Sequence, residues 1–236
     1  MKKFAVLVLV VVGGMLFAAG CGGGSSSSST AQLRAVNAVS DSLGYDYLVG
    51  GTTFATDLPF GQSGATPYTQ ISSGAQTMEV RNTGTSADLI DISESFTGAD
   101  NYTFVTVGLN TQVSGVLFTD QTTAAAAGDV QIRVINASTA LGPMDVYIVP
   151  NGTNLYTVSA NAANVAFGSA TSYLTLPAAT YQIEITPPGS KGYIYLYSGA
   201  QVYTATSVIT IVIEDQTGGG FPLNFIQLTD VAASAT

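Results

Sequence analysis

The chemistry open to this chain is narrow, because few of its residues carry reactive side chains. The 236-residue sequence contains no histidine and a single cysteine, Cys21. Catalysis by Ser-His-Asp or Cys-His groups needs a histidine, and protein zinc sites are built mostly on histidine and cysteine. The sequence therefore excludes these enzyme classes and predicts neither a metal site nor a cofactor. Carboxylates, tyrosines and arginines remain as candidates.

Three acidic residues, Asp88, Asp91 and Glu94, lie within one short stretch. Two carboxylates that flank a glycosidic bond can act as acid and base, so a hydrolase acting on glycans is one hypothesis. The spacing of Ile90 and Ile92 instead predicts a strand whose isoleucines face the core, which leaves Asp91 in solvent. The stretch also lacks the Asp-x-Asp-x-Asp-Gly loop of a calcium site. We therefore predict that the chain is not an enzyme and keep a carboxylate-dependent hydrolase as the alternative.

Tyr193, Tyr195 and Tyr197 alternate with Ile194 and Leu196. In a strand, this period of two places the three tyrosines on the face opposite the two aliphatic residues. An exposed aromatic row can stack on sugar rings or on a protein partner, whereas a covering loop or neighbouring domain would make it structural. The three tyrosines are the candidate binding residues.

Two arginines, Arg34 and Arg133, occupy equivalent places in two similar stretches, and an aspartate follows each of them twelve residues later. We predict a cross-strand ion pair between Arg34 and Asp46 and another between Arg133 and Asp145, with a role in strand register. The functional alternative is an anion site centred on each arginine, which needs further donors.

The N-terminal segment is typical of an exported lipoprotein. A basic start is followed by an apolar run from Phe4 to Phe17 and by the small residues of 18–20, which precede Cys21. The run is interrupted by Gly13-Gly14 and is shorter than the ~20 residues of a membrane span. We predict a signal peptide over 1–20 and acylation of Cys21, for example by palmitate. The alternatives are a retained transmembrane helix and an ordinary secretory signal.

Residues 21–30 continue as a Gly/Ser linker, which behaves as a flexible tether between the lipid and the folded chain. The predicted location is the cell envelope, lipid-anchored. Similarity to lipoproteins of bacteria with two membranes implies the outer membrane, because no aspartate follows the cysteine.

The charge of the chain bears on its partners. Loss of Lys2 and Lys3 with the signal peptide leaves four basic residues against 15 acidic ones, so the net charge changes from −9 to −11. The four basic residues are scattered, whereas phosphate binding needs them clustered. We predict that nucleic acid is not a partner, and that the membrane is reached through the lipid alone.

An internal repeat organises the rest of the chain. Residues 32–38 match residues 131–137, and Phe60-Gly61 recurs as Phe167-Gly168. Further matches keep the same order: Tyr68 with Tyr173, 78–80 with 183–185, and 118–120 with 228–230. We predict two domains, 31–127 and 128–236, joined by the small residues of 124–127.

Apolar residues alternate within each copy, as in Tyr181, Ile183 and Ile185, and turn residues separate the runs. Residues 208–213 are apolar on both faces except at Thr210, which predicts a central strand. About seven short strands in about 100 residues are typical of an immunoglobulin-like sandwich. The predicted fold is all-β, with two tandem immunoglobulin-like or transthyretin-like β-sandwich domains, and a small barrel is the alternative.

Both copies resemble the bacterial family known as domain of unknown function four-three-nine-seven. The resemblance lies in an Arg-x-x-Asn-Ala motif, a following strand that starts with aspartate, and the Phe-Gly step. The motif residues are Arg34, Asn37, Ala38 and Asp46 in the first copy, and Arg133, Asn136, Ala137 and Asp145 in the second. The Ser-Pro that often follows Asn-Ala in the family is missing from both copies. The family implies tandem β-sandwiches on a lipoprotein and supplies no activity.

These observations predict an envelope lipoprotein that acts as a non-enzymatic binding or structural module, with a glycan or an envelope protein as its partner.

Overall fold

The computed structural model describes residues 29–233, apart from the side chains of residues 64–67. Almost all of the regular structure is β-strand, with two short 3₁₀ turns at Asn110–Gln112 and Leu155–Thr157. The all-β prediction is confirmed. The predicted signal peptide, Cys21 and most of the tether lie outside the described residues. In the described range, no helix combines the length and the apolar character that a membrane crossing requires.

The chain forms two halves, and each sheet takes its strands from one half only. The strands of the first half are β1 (Thr30–Asn37), β2 (Tyr45–Val49), β3 (Thr52–Leu58), β4 (Gln62–Ser72), β5 (Gly74–Asn82), β6 (Asp88–Phe96), β7 (Asn101–Val107) and β8 (Ser114–Asp120). Those of the second half are β9 (Asp129–Asn136), β10 (Met144–Pro150), β11 (Ala162–Val165), β12 (Leu174–Pro177), β13 (Thr180–Thr186), β14 (Leu196–Tyr197), β15 (Gln201–Val202), β16 (Val208–Glu214) and β17 (Asn224–Val231).

Each half is a sandwich of an outer and an inner sheet with the same strand order. The outer sheets are β3-β2-β5-β6 and β11-β10-β13-β14, and the inner sheets are β4-β1-β7-β8 and β12-β9-β16-β17. The two central strands of each inner sheet, β1 with β7 and β9 with β16, pair in parallel. Arg34 lies opposite Thr103, and Arg133 lies opposite Thr210. The sheets are open, so the alternative of a small barrel is wrong and the β-sandwich prediction is confirmed. The domain boundary at 127/128 stays a prediction.

The two inner sheets pack against each other, so the molecule has four β-layers. Leu33 and Ala35 of β1 face the outer sheet of their own half, and Val36 faces the other half. The contact between the halves is apolar and uses equivalent positions of the repeat, such as Val36 with Ile135 and Val105 with Val212. The predicted central strand is β16, and its two faces are both apolar because one faces its own sandwich and the other faces the first half.

The parallel strands of the two halves finish at the same end of the molecule. Gly218, in the turn after β16, donates its backbone N–H to the carbonyl oxygen of Ser40, in the loop after β1, at 2.9 Å. We call this end the distal end. The opposite, proximal end contains Thr30, where β1 begins and where the chain arrives from the predicted tether.

Two arginines cross from one half to the other in the middle of this packing. Arg34 is fully buried, and its guanidinium donates to the Thr229 carbonyl at 3.0 Å and to the carboxylate of Asp230. Arg133 reciprocates, since it donates to the Thr119 carbonyl at 3.0 Å and to Asp120 at 2.5 Å. Each half therefore supplies the acid that pairs with the arginine of the other half.

Neighbouring side chains complete the coordination of each arginine. Thr103 accepts from Arg34 Nε at 2.9 Å, and the ring centroid of Tyr68 lies 4.6 Å from the guanidinium carbon. The hydroxyl of Tyr68 donates to Asp120 at 2.8 Å. Thr210 and Tyr173 play the same parts around Arg133 and Asp230. The result is a buried network in which the groups that carry charge are all hydrogen-bonded.

The predicted ion pairs, Arg34 with Asp46 and Arg133 with Asp145, are wrong. Alternation along β1 and β9 turns both arginines away from the outer sheets, where β2 and β10 carry the two aspartates. Asp46 instead accepts from the backbone N–H of Asp57 at 2.8 Å. Asp145 accepts from the backbone N–H groups of Asn164 and Gly189 at 2.9 and 2.7 Å. Both aspartates therefore fix loops of their own half.

One carboxyl oxygen in the packing between the halves has no hydrogen-bond partner among the described residues. Glu214 takes the repeat position of Val107, and within the described chain its Oε2 has no hydrogen-bond partner although the side chain is buried. Its Oε1 would lie 3.2 Å from a Cβ placed on Gly61 of the first half. Burial, followed by the nearby charge of Asp215, raises the pKa of Glu214 from 4.5 to about 8. Ionised Glu214 is thus unfavourable in the folded state.

Replacement of Arg34 by Met should lower the free energy of unfolding by about 3 to 5 kcal/mol, because Asp230 and Asp120 then stay buried without one of their cations. The matched control is Arg81→Met, since Arg81 pairs with Glu79 and Asp88 at the surface and should contribute little. Urea unfolding of the two variants measures both losses. Equal losses would contradict a special role for the buried network.

The free energy of unfolding should also fall as the pH rises from about 4 to about 8. The folded state holds the Glu214 proton more tightly than the unfolded state, so the stabilisation is complete at low pH and is lost as Glu214 ionises. Urea midpoints across this range should show the fall, and Glu214→Gln should flatten it. Burial also raises the pKa of Asp120, although Arg133 and Arg34 oppose that shift. The difference between the wild-type and Glu214→Gln profiles therefore isolates the contribution of Glu214. Parallel profiles would refute the assignment.

Candidate functional site

The tyrosine run departs from the predicted strand. Only Leu196 and Tyr197 form β14, where they lie opposite Ile185 and Glu184 of β13. The Tyr195 N–H donates to the Ile185 carbonyl at 2.8 Å, and the residues before Tyr195 lie outside the sheet. The alternation that would place the three tyrosines on one face therefore does not extend along the whole run.

The exposure of these residues follows from that departure. Leu196 is buried but Ile194 is 48% exposed, so the predicted shared strand face of these two residues is not formed. Tyr193 and Tyr197 are 73% and 58% exposed. Tyr195 is half-buried because it turns toward the core of the second half. The predicted row of three exposed tyrosines is therefore not formed.

A different aromatic surface takes its place. The ring of Tyr195 stacks on Phe221, with centroids 4.8 Å apart and an interplanar angle of 26°. Tyr193, Ile194 and Pro222 surround this pair and form an open depression of about 400 Å³. We call these five residues the aromatic patch. Tyr197 lies outside it.

Phe221 and Pro222 were missed by sequence reasoning because they come from the turn between β16 and β17. That turn begins with Gly218, Gly219 and Gly220, whose φ angles of 83°, 92° and 82° favour glycine. The available signal was an aromatic residue and a proline placed directly after a glycine turn, where neither can enter a core strand.

The patch combines a fixed floor with exposed walls. Tyr195 packs on the hydrophobic core and holds Phe221 in place, while Tyr193 and Ile194 project into solvent. No charged residue lines the depression. Such a surface can stack on the apolar face of a ring, and the hydroxyls of its two tyrosines are its only polar side-chain groups.

The patch lies at the distal end of the second half. Phe221 follows the finish of β16, and Tyr195 lies beside the last residues of β13, which runs toward the same end. Thr30, where the chain enters β1, lies at the proximal end. A chain held at its N-terminus would therefore present the patch away from its anchor.

The acidic stretch is arranged as a solvated edge strand. Ile90 is buried, Ile92 packs on the core, and Asp91 is exposed, as predicted. Asp88 is occupied by Arg81, whose Nε lies 2.6 Å from its carboxylate. Asp91 and Glu94 have opposite parity on β6 and so point to opposite faces of the sheet. These carboxylates do not converge on one bond.

Among residues 29–233, no group of three or more acidic or other metal-binding side chains is close enough to hold an ion. The predicted lipidation residue, Cys21, lies outside this range.

Asn37 and Asn136 are the last residues of β1 and β9. The Asn37 carboxamide accepts from the Val39 N–H at 3.0 Å, and Asn136 donates to the carbonyls of Gly142 and Val165 at 3.0 Å. These residues of the repeated motif are thus loop anchors, and the arginines of the same motif join the two halves. The motif is structural at every position whose contacts are described here.

Comparison with known proteins places part of the chain in a family. No curated protein sequence matches it. Among solved structures, it is similar to the crystal structure of CBMbc, a family CBM26 module from Eubacterium rectale Amy13K in complex with maltoheptaose, at 12% identity, with 86% of this chain and 98% of that chain covered. The TM-score is 0.28, and a superposition this loose carries no statement about fold or ligand. Residues 31–147 match the family model described as Domain of unknown function (DUF4397). The match confirms, over these residues, the family resemblance that the Arg-x-x-Asn-Ala motif predicted.

Proposed function

We propose that this chain is a lipid-anchored envelope protein that binds a neutral glycan, without turnover, at the aromatic patch of its second half. The observation that supports the proposal is the stack of Tyr195 on Phe221. The exposed side chains of Tyr193 and Ile194 line the same depression. Partly buried aromatic residues are held rigidly, so the entropic cost of ordering them when a sugar ring binds is small.

A glycan fits the patch better than a protein partner does. Stable protein interfaces bury about 800 Å² on each partner, and five side chains around one depression offer much less than that. A sugar ring, by contrast, covers one or two aromatic rings. The absence of charged groups in the lining favours a neutral sugar over an anionic one.

The anchor completes the proposal. Acylation of Cys21 would hold the proximal end near a membrane, in the outer membrane if the organism has one, and the distal patch would face outward. The chain is acidic, and the four basic residues that follow the predicted signal peptide are scattered, so the lipid and not surface charge would provide attachment.

The anchor is tested by mass spectrometry of the purified full chain. The mature N-terminus should be Cys21 carrying acyl chains, and Cys21→Ser should move the protein from the membrane fraction to the soluble fraction. Anchoring by two or more acyl chains is firm, at ~0.8 kcal/mol per buried methylene, so the shift should be nearly complete. An unmodified thiol at the mature N-terminus would reject the anchor.

Glycan binding is tested with the full chain in a detergent that contains no sugar, on an array of neutral oligosaccharides. Tyr193→Ala should weaken binding about ten-fold, since the loss of one stacking ring corresponds to about 1.4 kcal/mol. The matched control is Tyr156→Ala, because Tyr156 is similarly exposed but lies outside the patch.

Two results would overturn this function. Equal binding by Tyr193→Ala and the wild type would remove the patch from recognition. Cleavage of an oligosaccharide that disappears in Asp91→Asn would instead establish the carboxylate-dependent hydrolase. A protein ligand whose binding requires Tyr193, with no sugar bound by the wild type, would also count against the proposal.

A further inference from the structure

A second depression lies at the open edge of the first half, between β3 and β4. These strands are the edges of their two sheets, and the sheets diverge there to leave a volume of about 270 Å³. We call it the edge groove. Its lining consists of Val49, Gly50, Thr52, Thr53, Phe54, Thr69, Gln70, Ile71, Ser72 and Gln76.

The edge groove has an apolar floor and neutral polar walls. Phe54 and Ile71 pack on the core of the first half and provide the floor. Hydroxyl and carboxamide side chains provide the walls, and no ionisable group is among them. These groups both donate and accept hydrogen bonds, so they suit a ligand that is rich in hydroxyl groups and carries no charge.

Gln76 is placed to take part in such binding. Its Oε1 packs over Gly50, where an added Cβ would come within 2.8 Å of it, so the glycine makes room for the carboxamide. Gly50 has a φ of 54°, which also favours glycine. Gln70 also lines the groove, and its amide nitrogen donates to the Thr30 hydroxyl at 2.9 Å.

We propose that the edge groove is a second binding site for a neutral saccharide, separate from the aromatic patch. The inference rests on the proposed function for its ligand class, and on different residues for its site. An added peptide strand is the competing occupant, but both edges are poor templates. The pairing of β3 with β2 and of β4 with β1 contains register shifts, and irregular edges resist strand addition.

The positions of the two sites make this second site useful. Gly50 and Ser72 belong to the proximal end, since Ser72 pairs with Thr30 at the start of β1. The aromatic patch lies at the distal end of the other half. One chain would therefore hold a polysaccharide at two separated points, and the second contact would form at a high effective concentration.

The test measures stoichiometry by calorimetry, with the full chain in a detergent free of sugar and with neutral oligosaccharides of α-glucan, β-glucan, chitin and mannan. The wild type should bind two oligosaccharides per chain. Thr52→Arg fills the groove from an exposed position without touching the core, and it should leave one site. Thr56→Arg is the matched control, because it is equally exposed on β3 but outside the lining, and it should leave two.

The outcomes separate the groove from the patch. Loss of one site in Thr52→Arg, of the other in Tyr193→Ala and of both in the double variant would support two sites. If Thr52→Arg retains the wild-type stoichiometry, or if one site is found and Tyr193→Ala removes it, the groove is overturned while the patch stands. If one site is found and only Thr52→Arg removes it, the groove stands and the patch fails. Absence of binding to every oligosaccharide would overturn both, whereas a peptide ligand that occupies the groove in place of sugar would overturn the groove alone.

Discussion

The exchange of acids between the halves is the constraint on which the rest of the structure depends. A buried guanidinium loses hydration worth several kcal/mol, and only well-placed acceptors offset that loss. Arg34 finds its acceptors on Thr229 and Asp230, and Arg133 finds its own on Thr119 and Asp120. Arg34 also lies 3.5 Å from Asp120 of its own half, but the closest carboxylate of each arginine belongs to the other half. The four-layer stack is therefore held in one orientation by polar contacts, while the apolar side chains around them supply the packing.

This constraint explains features of the sequence that a single sandwich would not. An inner strand of a lone sandwich would have one apolar face and one solvated face. In β16 both faces are buried, and in β1 the outward face carries Arg34 and Val36, which meet the other half. The low content of charged residues, 9%, has the same origin, since two of the four sheets have no solvent-facing side in the middle of the molecule.

Sequence reasoning predicted the strands and the repeat but not the partners of the arginines. Alternation is a local property, so it correctly placed Ile90, Asp91 and Leu196. The repeat itself contains two aspartates at equivalent positions for each arginine, Asp46 with Asp145 and Asp120 with Asp230. Sequence separation favoured the nearer pair, and nothing local distinguishes a partner in the same half from one in the other. The apolar character of both faces of 208–213 was the one indication that a further layer covers the inner sheet.

Sequence reasoning predicted only part of the aromatic patch, again because alternation is a local property. Alternation with period two holds only while the backbone stays in a sheet, and the chain enters β14 only at Leu196. Tyr195, just before this strand, turns inward and stacks on Phe221, which comes from the turn between β16 and β17. Contacts of that kind depend on which loops share an end of the molecule. Because the ion pairs fix one half against the other, the distance between the edge groove and the aromatic patch is fixed as well. A rigid separation selects ligands long enough to span it, whereas two halves on a flexible joint would accept any spacing.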